Sequence, residues 1–333
     1  MNEPVSSAES SRPQAGSVLG VTRFLLRWPA LWLLALVVGA FAHLSPRFLE
    51  GPNLVNIAVQ SASLGILATG MTFVLLTAGI DLSVGSLMFV SAALAGKLMI
   101  GGWSLPAAFA VVVLSGLVGG ALNGLAVTRL GIKPFVVTLS TLYIGRGFAL
   151  WLSETRALNL PDSLLAVGSA RLAGVPVPVM VLVLVLVGAH LTLNRTAFGR
   201  HLYAVGADPE AARRAGLPVK RLLLSAYAIC GLLAALGGAV AVAQLGAVSP
   251  TFGRDREFAA ISAAVLGGVS LFGGRGSVLP GVLLGALLMQ TVENGLVIVN
   301  ADPYLYPMVM ATVIFVAVLL DSLRSHVRGT PPS

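Results

Sequence analysis

The sequence predicts an all-α, polytopic membrane protein with about ten transmembrane helices. Hydrophobic residues make up 56% of the 333 residues and charged residues only 10%, and the mean hydropathy is +0.92. Soluble domains are usually about 45–50% apolar and about 25% charged. The uncharged runs 51–80, 98–128, 172–194 and 222–253 exceed the roughly 20 residues with which a helix crosses a bilayer. They are continuous, whereas β-barrel strands alternate over about ten residues.

The chain divides into a tail, a membrane domain and a second tail. Residues 1–23, rich in Ser, Gly and Pro, predict a disordered cytoplasmic tail. Residues 24–323 form the membrane domain, and residues 324–333 form a cytoplasmic C-terminal tail. Charges and Pro/Gly breaks separate ten candidate spans, near residues 28–44, 55–78, 83–100, 106–127, 135–153, 176–193, 222–243, 258–272, 277–298 and 304–321.

The positive charges predict which side each loop occupies. With the N-terminus inside, the cytoplasmic segments are both tails and the loops near 79–82, 129–134, 194–221 and 273–276. Together with Arg27, which precedes the first span, these segments carry fourteen Lys and Arg residues, and the outer loops carry six. Because cytoplasmic loops are enriched in Lys and Arg, both termini are expected in the cytoplasm. The net charge of +8 is therefore attributed to membrane orientation and not to nucleic-acid binding.

The stretch GADPEAARRAGLPVKR, residues 206–221, predicts a short capped helix in the longest cytoplasmic loop, 194–221. A helix over 209–215 would start with an Asp N-cap and a Pro and would end at a Gly. Such a short helix needs a surface to pack on. Docking on a partner protein is favoured over a simple positive-inside anchor. The candidate docking residues are Asp208, Pro209, Glu210, Ala211, Ala212, Arg213, Arg214, Ala215 and Gly216.

The sequence contains no familiar catalytic or nucleotide-binding motif. It lacks G-x-x-x-x-G-K-[ST], H-E-x-x-H and G-x-S-x-G, and its four histidines are scattered. Its one cysteine, Cys230, lies in an apolar run and is expected to serve packing. No catalytic residue, metal site or cofactor site is therefore predicted. Few ionisable residues fall inside the spans, which argues against an ion-coupled carrier.

A few polar residues within the apolar regions are candidates for a substrate path or gate. Asp81 lies between spans two and three, where it could cap the third span, line a gate, or do both. Arg146, flanked by two glycines, could snorkel to the surface or line a wet cavity, and the cavity is favoured. The glycine-rich run 265–277 predicts close packing between spans eight and nine. The candidate path or gate residues are Asp81, Ser83, Arg146, Glu293 and Asn294.

Three stretches together resemble the ribose-type permease family of bacterial ABC importers. They are GIDLSVGS at 79–86, YAVGADPEAARRAGLPVKR at 203–221, and AAVLGGVSLFGGRGSVLPGVLLGALL at 263–288, which is followed by Glu-Asn-Gly-Leu at 293–296. The resemblance extends from about residue 53 to residue 321. The sequence Arg-Asp-Arg-Glu at 254–257 departs from it, because this outer loop is more highly charged than the family pattern.

The resemblance implies the ABC importer permease fold in a bacterial inner membrane, surrounded by lipid and paired with a second permease copy as a homodimer. It also implies a cytoplasmic ATPase subunit that binds ATP and Mg²⁺ and receives the helix 209–215 in a groove. A periplasmic binding protein would deliver a monosaccharide such as a ribose-like pentose. The chain itself would hold no cofactor and bind no nucleic acid. A secondary transporter or channel for a small polar solute is the alternative, and an amino-acid or metal importer is a further one.

Overall fold

The computed structural model describes residues 29–327, so the predicted tail 1–23 lies outside the described residues. Helices dominate this part of the chain. They are α1 (Pro29–Leu44), α2 (Gly51–Leu75), α3 (Val84–Ile100), α4 (Leu105–Arg129), α5 (Pro134–Ser153), α6 (Asp162–Ser169), α7 (Val177–Arg195), α8 (Ala197–Ala207), α9 (Pro209–Arg214), α10 (Val219–Leu245), α11 (Arg256–Leu266), α12 (Leu283–Ile298) and α13 (Leu305–Val327).

Short irregular elements join these helices. A 3₁₀ turn, Pro46–Leu49, precedes α2, and a π-helical turn, Val278–Val282, leads into α12. Two small antiparallel ladders pair β1 (Leu158–Asn159) with β4 (Ala247–Val248), and β2 (Arg171–Leu172) with β3 (Val175–Pro176).

Each of the ten predicted spans overlaps one helix, namely α1 to α5, α7, and α10 to α13. Within residues 29–327, six helices are long and apolar enough to cross a membrane. They are Gly51–Leu75, Leu105–Arg129, Pro134–Ser153, Val177–Arg195, Val219–Leu245 and Val278–Ile298. The polytopic helical architecture is thus confirmed, and the count of about ten spans stays a prediction. Helices α6 and α8 were not predicted.

The eighth predicted span, 258–272, is shorter than expected. Helix α11 has eleven residues and so extends only about 16 Å, roughly half the thickness of a bilayer. It ends at Leu266 because a glycine pair follows, and Gly268 has a φ of +92°, which favours glycine. The glycine-rich turn then leads to α12.

Helices α2 and α10 form the centre of the bundle. The apolar windows of these two helices are 78% and 72% buried, whereas those of α4 and α5 are each 22% buried. Helix α10 packs on α2, α3 and α4, and α11 packs on α2, α12 and α13. The outward faces of the peripheral helices are apolar, as the exposed Tyr143, Trp151 and Leu184 illustrate. Such faces suit contact with lipid.

Small residues bring α4 and α10 close together. Gly116, Gly120 and Gly124 recur every fourth residue on the face of α4 that meets α10. A Cβ at Gly120 would collide with the Tyr227 carbonyl oxygen and with the backbone of Gly231. The two backbones are therefore in contact, a packing mode that is common between membrane helices.

The junction between α2 and α3, where the sequence predicted a cytoplasmic loop near residues 79–82, is largely buried in the bundle, and the side of the membrane on which it lies stays a prediction. Asp81 is fully buried, and Gly79 packs beside the hydroxyl of Tyr227, eight residues into α10. The loop 246–255 also runs back into the bundle, since Gly253 packs on Gly85 near the start of α3. The start of α3 and the loop 246–255 therefore meet inside the bundle.

Candidate functional sites: an amide cavity, a buried polar chain and a short capped helix

A cavity of about 680 Å³ lies between α2, α10, α12 and the loop 246–255. Its polar wall carries Asn56 and Gln60 from α2 and Gln290 from α12. Gln290 Nε2 donates to Gln60 Oε1 at 2.8 Å, and Gln60 Nε2 donates to Asn56 Oδ1 at 3.0 Å. The buried residues Met88 and Phe252 line the cavity as well. We refer to this space as the amide cavity.

Helical spacing explains why these side chains converge. Asn56 and Gln60 are four residues apart and share one face of α2, and Gln290 and Glu293 are three residues apart on α12. A second cavity of about 520 Å³ shares all four of these residues and extends to α13. The two cavities therefore adjoin along one polar wall.

The predicted path residues Glu293 and Asn294 lie at this wall. Glu293 lines both cavities, and its Oε1 is 3.6 Å from Arg256 Nη1. Asn294 lines the second cavity and forms a reciprocal pair with Asn53, in which each amide donates to the other at 3.0 and 3.1 Å. The charged stretch 254–257, which departs from the family pattern, also contributes Arg254 to the lining.

Asp81 and Ser83 lie elsewhere, in a buried chain of polar side chains. Asp81 Oδ1 accepts from Ser83 N at 2.9 Å and from Ser83 Oγ at 2.6 Å. Ser83 Oγ in turn accepts from Asn123 Nδ2 at 2.8 Å, and Asn123 Oδ1 accepts from Thr141 Oγ1 at 2.6 Å. This chain connects the α2–α3 junction to α4 and α5. Neither Asp81 nor Ser83 lines the two cavities.

The capping role expected of Asp81 differs in detail. The N-cap residue of α3 is Ser83, which has no side-chain cap, and Asp81 binds the N–H of Ser83 instead of one inside the helix. Within residues 29–327, Asp81 Oδ2 has no hydrogen-bond partner, and neither has the buried hydroxyl of Tyr227. The Asp81 carboxyl faces Tyr227 and Cys230 on α10.

Arg146 also lies outside the two cavities, although the sequence favoured a wet cavity for it. Its guanidinium carbon is 5.9 Å from the ring centroid of Phe89, and that ring is 6.4 Å from the ring of the cavity residue Phe252. Arg146 Nη1 and Glu257 Oε2 are buried and have no hydrogen-bond partner among the described residues. The two side chains are near enough to interact electrostatically. The rings of Phe89 and Phe252 thus lie between Arg146 and the amide cavity.

The short capped helix predicted in the 194–221 loop is present as α9. Asp208 Oδ1 accepts from the backbone N of Glu210 and of Ala211, both at 2.9 Å. Pro209 is at the start, and Gly216 follows the end with a φ of +80°. The helix ends at Arg214, one residue earlier than predicted, and Ala215 is its C-cap. The caps predicted from sequence are therefore confirmed.

The exposure of α9 distinguishes its small residues. Ala211 and Ala215 are exposed, together with Arg213 and Arg214, and Arg213 forms an ion pair with Glu210. Ala212 is only 5% exposed and belongs to the hydrophobic core. Ala212 therefore packs within this chain, whereas the remaining surface of α9 is free to contact another molecule.

Helix α8 fixes α9 to the bundle at the α2–α3 junction. A Cβ at Gly206 would collide with the Leu76 carbonyl oxygen and the Gly274 amide, which are themselves joined by a 2.9 Å hydrogen bond. Tyr203 Oη donates to the Gly276 carbonyl oxygen at 2.8 Å. The end of α2 and the glycine-rich turn before α12 therefore contact α8 at the same place, beside Gly206.

The sequence reasoning missed Asn56, Gln60, Gln244 and Gln290. Gln244 lines the amide cavity, and its Nε2 donates to the Val59 carbonyl oxygen at 3.1 Å. A usable signal was present, because amides separated by four residues stand out in an apolar span. Within residues 29–327, no cluster of three His, Cys, Asp or Glu side chains could hold a metal ion.

Comparison with known proteins places this architecture in one family. The model of the family described as "Branched-chain amino acid transport system / permease component" matches residues 53–319. The chain is 38% identical to the ribose import permease protein RbsC of Bacillus subtilis over 309 residues, which are 92% of this chain and 95% of the relative.

Two further relatives have similar coverage. The D-allose transport system permease protein AlsC of Escherichia coli is 36% identical over 91% of this chain and 94% of its own length. The fructose import permease protein FrcC of Rhizobium meliloti is 37% identical over 88% of this chain and 84% of its own length. No solved structure matches the chain. The family match and the apolar helices agree: the chain is a multi-pass membrane protein that belongs to the family of transport-system permease components.

Proposed function

We propose that the chain is the transmembrane permease subunit of an ABC importer that moves a monosaccharide, a ribose-like pentose or a related sugar, into the cell. The amide cavity carries this proposal, because a membrane bundle that holds Asn56, Gln60 and Gln290 around about 680 Å³ can pass a neutral hydroxylated solute. The relatives named for ribose, allose and fructose support the same substrate class.

The family description names branched-chain amino acids, but the cavity suits a sugar better. An amino acid presents a carboxylate and an ammonium group, which are best bound by separate charges of opposite sign. Arg256 and Glu293 lie 3.6 Å apart and neutralise each other. Apart from Arg254, the remaining polar wall consists of carboxamides and hydroxyl side chains, which both donate and accept hydrogen bonds as sugar hydroxyls do.

The proposal includes a complex of several proteins. A second copy of the permease forms a homodimer with this chain in the bacterial inner membrane, with both termini in the cytoplasm and ten spans in each copy. The exposed surface of α9 enters a groove of a cytoplasmic ATPase, and ATP and Mg²⁺ bind to that subunit and not to this chain. A periplasmic binding protein delivers the sugar. The fourteen inner and six outer basic residues support this orientation.

The packing of α8 suggests how motion at α9 reaches the cavity. The ATPase would displace α9 and, through it, α8, which is held against Leu76 and Gly274. Leu76 terminates α2, and Gly274 lies in the turn before α12. The same two helices carry Gln60 and Gln290 further along, so a shift at their shared end alters the distance between the walls of the cavity.

Transport by the reconstituted complex tests the proposal. The permease, its ATPase and its binding protein would be placed in proteoliposomes and supplied with radiolabelled D-ribose, D-allose or D-fructose. We expect uptake of at least one sugar that requires both ATP and the ATPase subunit. Uptake that proceeds without the ATPase would indicate a secondary transporter or a channel. Uptake of leucine but of none of the sugars would indicate an amino-acid importer.

A further inference from the structure

We infer that Asn56, Gln60 and Gln290 form a transit site inside the permease that hydrogen-bonds directly to a neutral, polyhydroxylated molecule. This inference rests on the proposed function and goes beyond it. An importer could rely on its binding protein for recognition and offer only an inert passage. Here the permease itself contacts the hydroxyl groups of the solute.

The hydrogen bonds among the three amides leave specific groups unused. Gln290 donates to Gln60, and Gln60 donates to Asn56, so the chain of amides has a direction. At one end, Asn56 Nδ2 has no partner in the described part of the chain, and at the other end Gln290 Oε1 has none. A hydroxyl group is both a donor and an acceptor. A sugar with several hydroxyls can therefore bond to both ends of the amide chain.

Charged side chains line the two cavities beside the amides. Arg254 and Arg256 line both cavities, Glu293 lines both, and Asp255 lines the second. Arg256 and Glu293 form the closest pair, at 3.6 Å, and neutralise each other, which leaves the positive charge of Arg254 at the amide cavity. The remaining charge of Arg254 opposes a cation and can donate to a hydroxyl oxygen, while the amides offer both donors and acceptors to a neutral polyhydroxylated solute.

Size and lining complete the match. A volume of about 680 Å³ falls within the range of roughly 300–1,000 Å³ that is typical of small-molecule sites. Phe252 and Met88 add apolar surface to the lining of the same cavity. A monosaccharide has an apolar C–H face as well as hydroxyl edges, and an amide wall beside an aromatic ring accommodates both.

A purely structural role for the amides is the competing explanation, and the chain contains a suitable control. Asn53 and Asn294 also connect α2 to α12, but each amide donates to the other, and Asn53 lines neither cavity. Replacing Asn53 removes both hydrogen bonds between the same two helices, and the one that Asn53 Nδ2 donates to the Phe48 carbonyl oxygen, without removing an amide from the amide cavity. Replacing Gln290 removes a proposed sugar contact, and replacing Gln60 breaks the amide chain that holds the two contacting ends in place.

The experiment compares Gln290→Met, Gln60→Met and Asn53→Leu in the complete complex in proteoliposomes. Each substitution keeps the approximate size of the side chain and removes the amide. The readout is the number of sugar molecules transported per ATP hydrolysed, measured with D-ribose, D-allose and D-fructose. We expect both glutamine variants to lose about tenfold, the effect of losing one hydrogen bond of typical strength, and Asn53→Leu to match the wild type. Gln290→Asn, which restores an amide, should recover part of the loss.

The outcomes separate this inference from the function on which it rests. Wild-type ratios in both glutamine variants would overturn the transit site and leave the importer intact. An equal loss in Asn53→Leu would also overturn it, because the amides would then serve only to join α2 and α12. If one glutamine variant fails to assemble, the other gives the result. If the wild-type complex transports none of the sugars, the proposed function fails before the variants are compared.

Discussion

The Asp81 carboxylate uses one oxygen fully and leaves the other without a partner among the described residues. Its Oδ1 accepts from both Ser83 N and Ser83 Oγ, and an asparagine carbonyl can accept both of these bonds. We predict that Asp81→Asn unfolds at the temperature of the wild type, whereas Asp81→Ala loses about 1–3 kcal/mol because two buried donors lose their acceptor. Thermal unfolding in detergent measures both.

Transport by Asp81→Asn then tests the gate hypothesis, which the stability of the protein does not address. If the negative charge matters, this variant is stable but imports sugar slowly. Full import by this variant would mean that Asp81 has only a structural role, through its hydrogen bonds with Ser83. Equal destabilisation by asparagine and alanine would contradict the assignment of the hydrogen bonds.

The charges of Arg146 and Glu257 lead to a second prediction at the residue scale, which concerns the stability of the protein. Both have a buried atom without a hydrogen-bond partner in residues 29–327, and they interact electrostatically. Arg146 and Glu257 carry opposite charges, so removing one of them leaves the other with less compensation. We expect Arg146→Leu to lower the unfolding temperature and Arg146→Leu/Glu257→Gln to restore part of the loss. A single variant as stable as the wild type would show that the two charges are not coupled.

The sequence predicted some of these residues because charge is conspicuous in an apolar chain. Asp81, Arg146 and Glu293 were found in this way, but only Glu293 lines the cavities. The neutral amides Gln60 and Gln290 were missed. Their importance depends on two helices meeting side by side, and sequence spacing within one helix does not show which helices are neighbours.

At the scale of elements, the short helix α9 carries an exposed and a buried alanine, and tryptophan at each position tests a different contact. Ala211 is exposed and Ala212 is buried, although both lie on the same short helix. We predict that Ala211→Trp folds normally but loses the ATPase subunit, or loses stimulation of ATP hydrolysis by the loaded binding protein. Ala212→Trp should destabilise the chain itself by about 1–3 kcal/mol through overpacking. Neutralising Arg213 and Arg214 should weaken assembly less, since exposed ion pairs contribute under about 1 kcal/mol each.

Co-purification and ATPase assays in nanodiscs distinguish these effects. Normal coupling by Ala211→Trp would reduce α9 to a membrane-surface anchor. The earlier expectation that both alanines face a partner is corrected by the burial of Ala212, which belongs to the core.

The elements themselves were predictable wherever a local signal marks their ends. The caps of α9 at Asp208 and Gly216 were predicted correctly because capping is chemistry between near neighbours. The end of α11 at Leu266 was placed too late, because apolar residues continue beyond the glycine pair. Helix α8 was missed although Thr196 caps it by accepting from Gly199 N at 3.2 Å. Its amphipathic sequence was read as part of a loop.

At the scale of the whole molecule, the orientation in the membrane can be tested with little background. Cys230, the one cysteine in the chain, is buried and should not react with an impermeant thiol reagent. Ala207 is exposed beside α9, and Tyr304, 87% exposed, lies between α12 and α13. We predict that Tyr304→Cys is labelled in intact spheroplasts and that Ala207→Cys is labelled only after the membrane is opened. The opposite pattern would invert the proposed topology.

The contact between α8 and the bundle leads to the last prediction, which concerns transmission through the whole molecule. Gly206 lies directly against Leu76 and Gly274, so a Cβ there would force α8 and α9 away from the shared end of α2 and α12. The amides of the cavity lie away from this shared end, with Gln60 in the first half of α2 and Gln290 near the middle of α12, and they would keep their places. We predict that Gly206→Ala binds the ATPase but transports less sugar per ATP than the wild type. Ala204→Val, an exposed change on the same helix, is the matched control and should couple normally. Normal coupling by Gly206→Ala would mean that the motion reaches the cavity by another route.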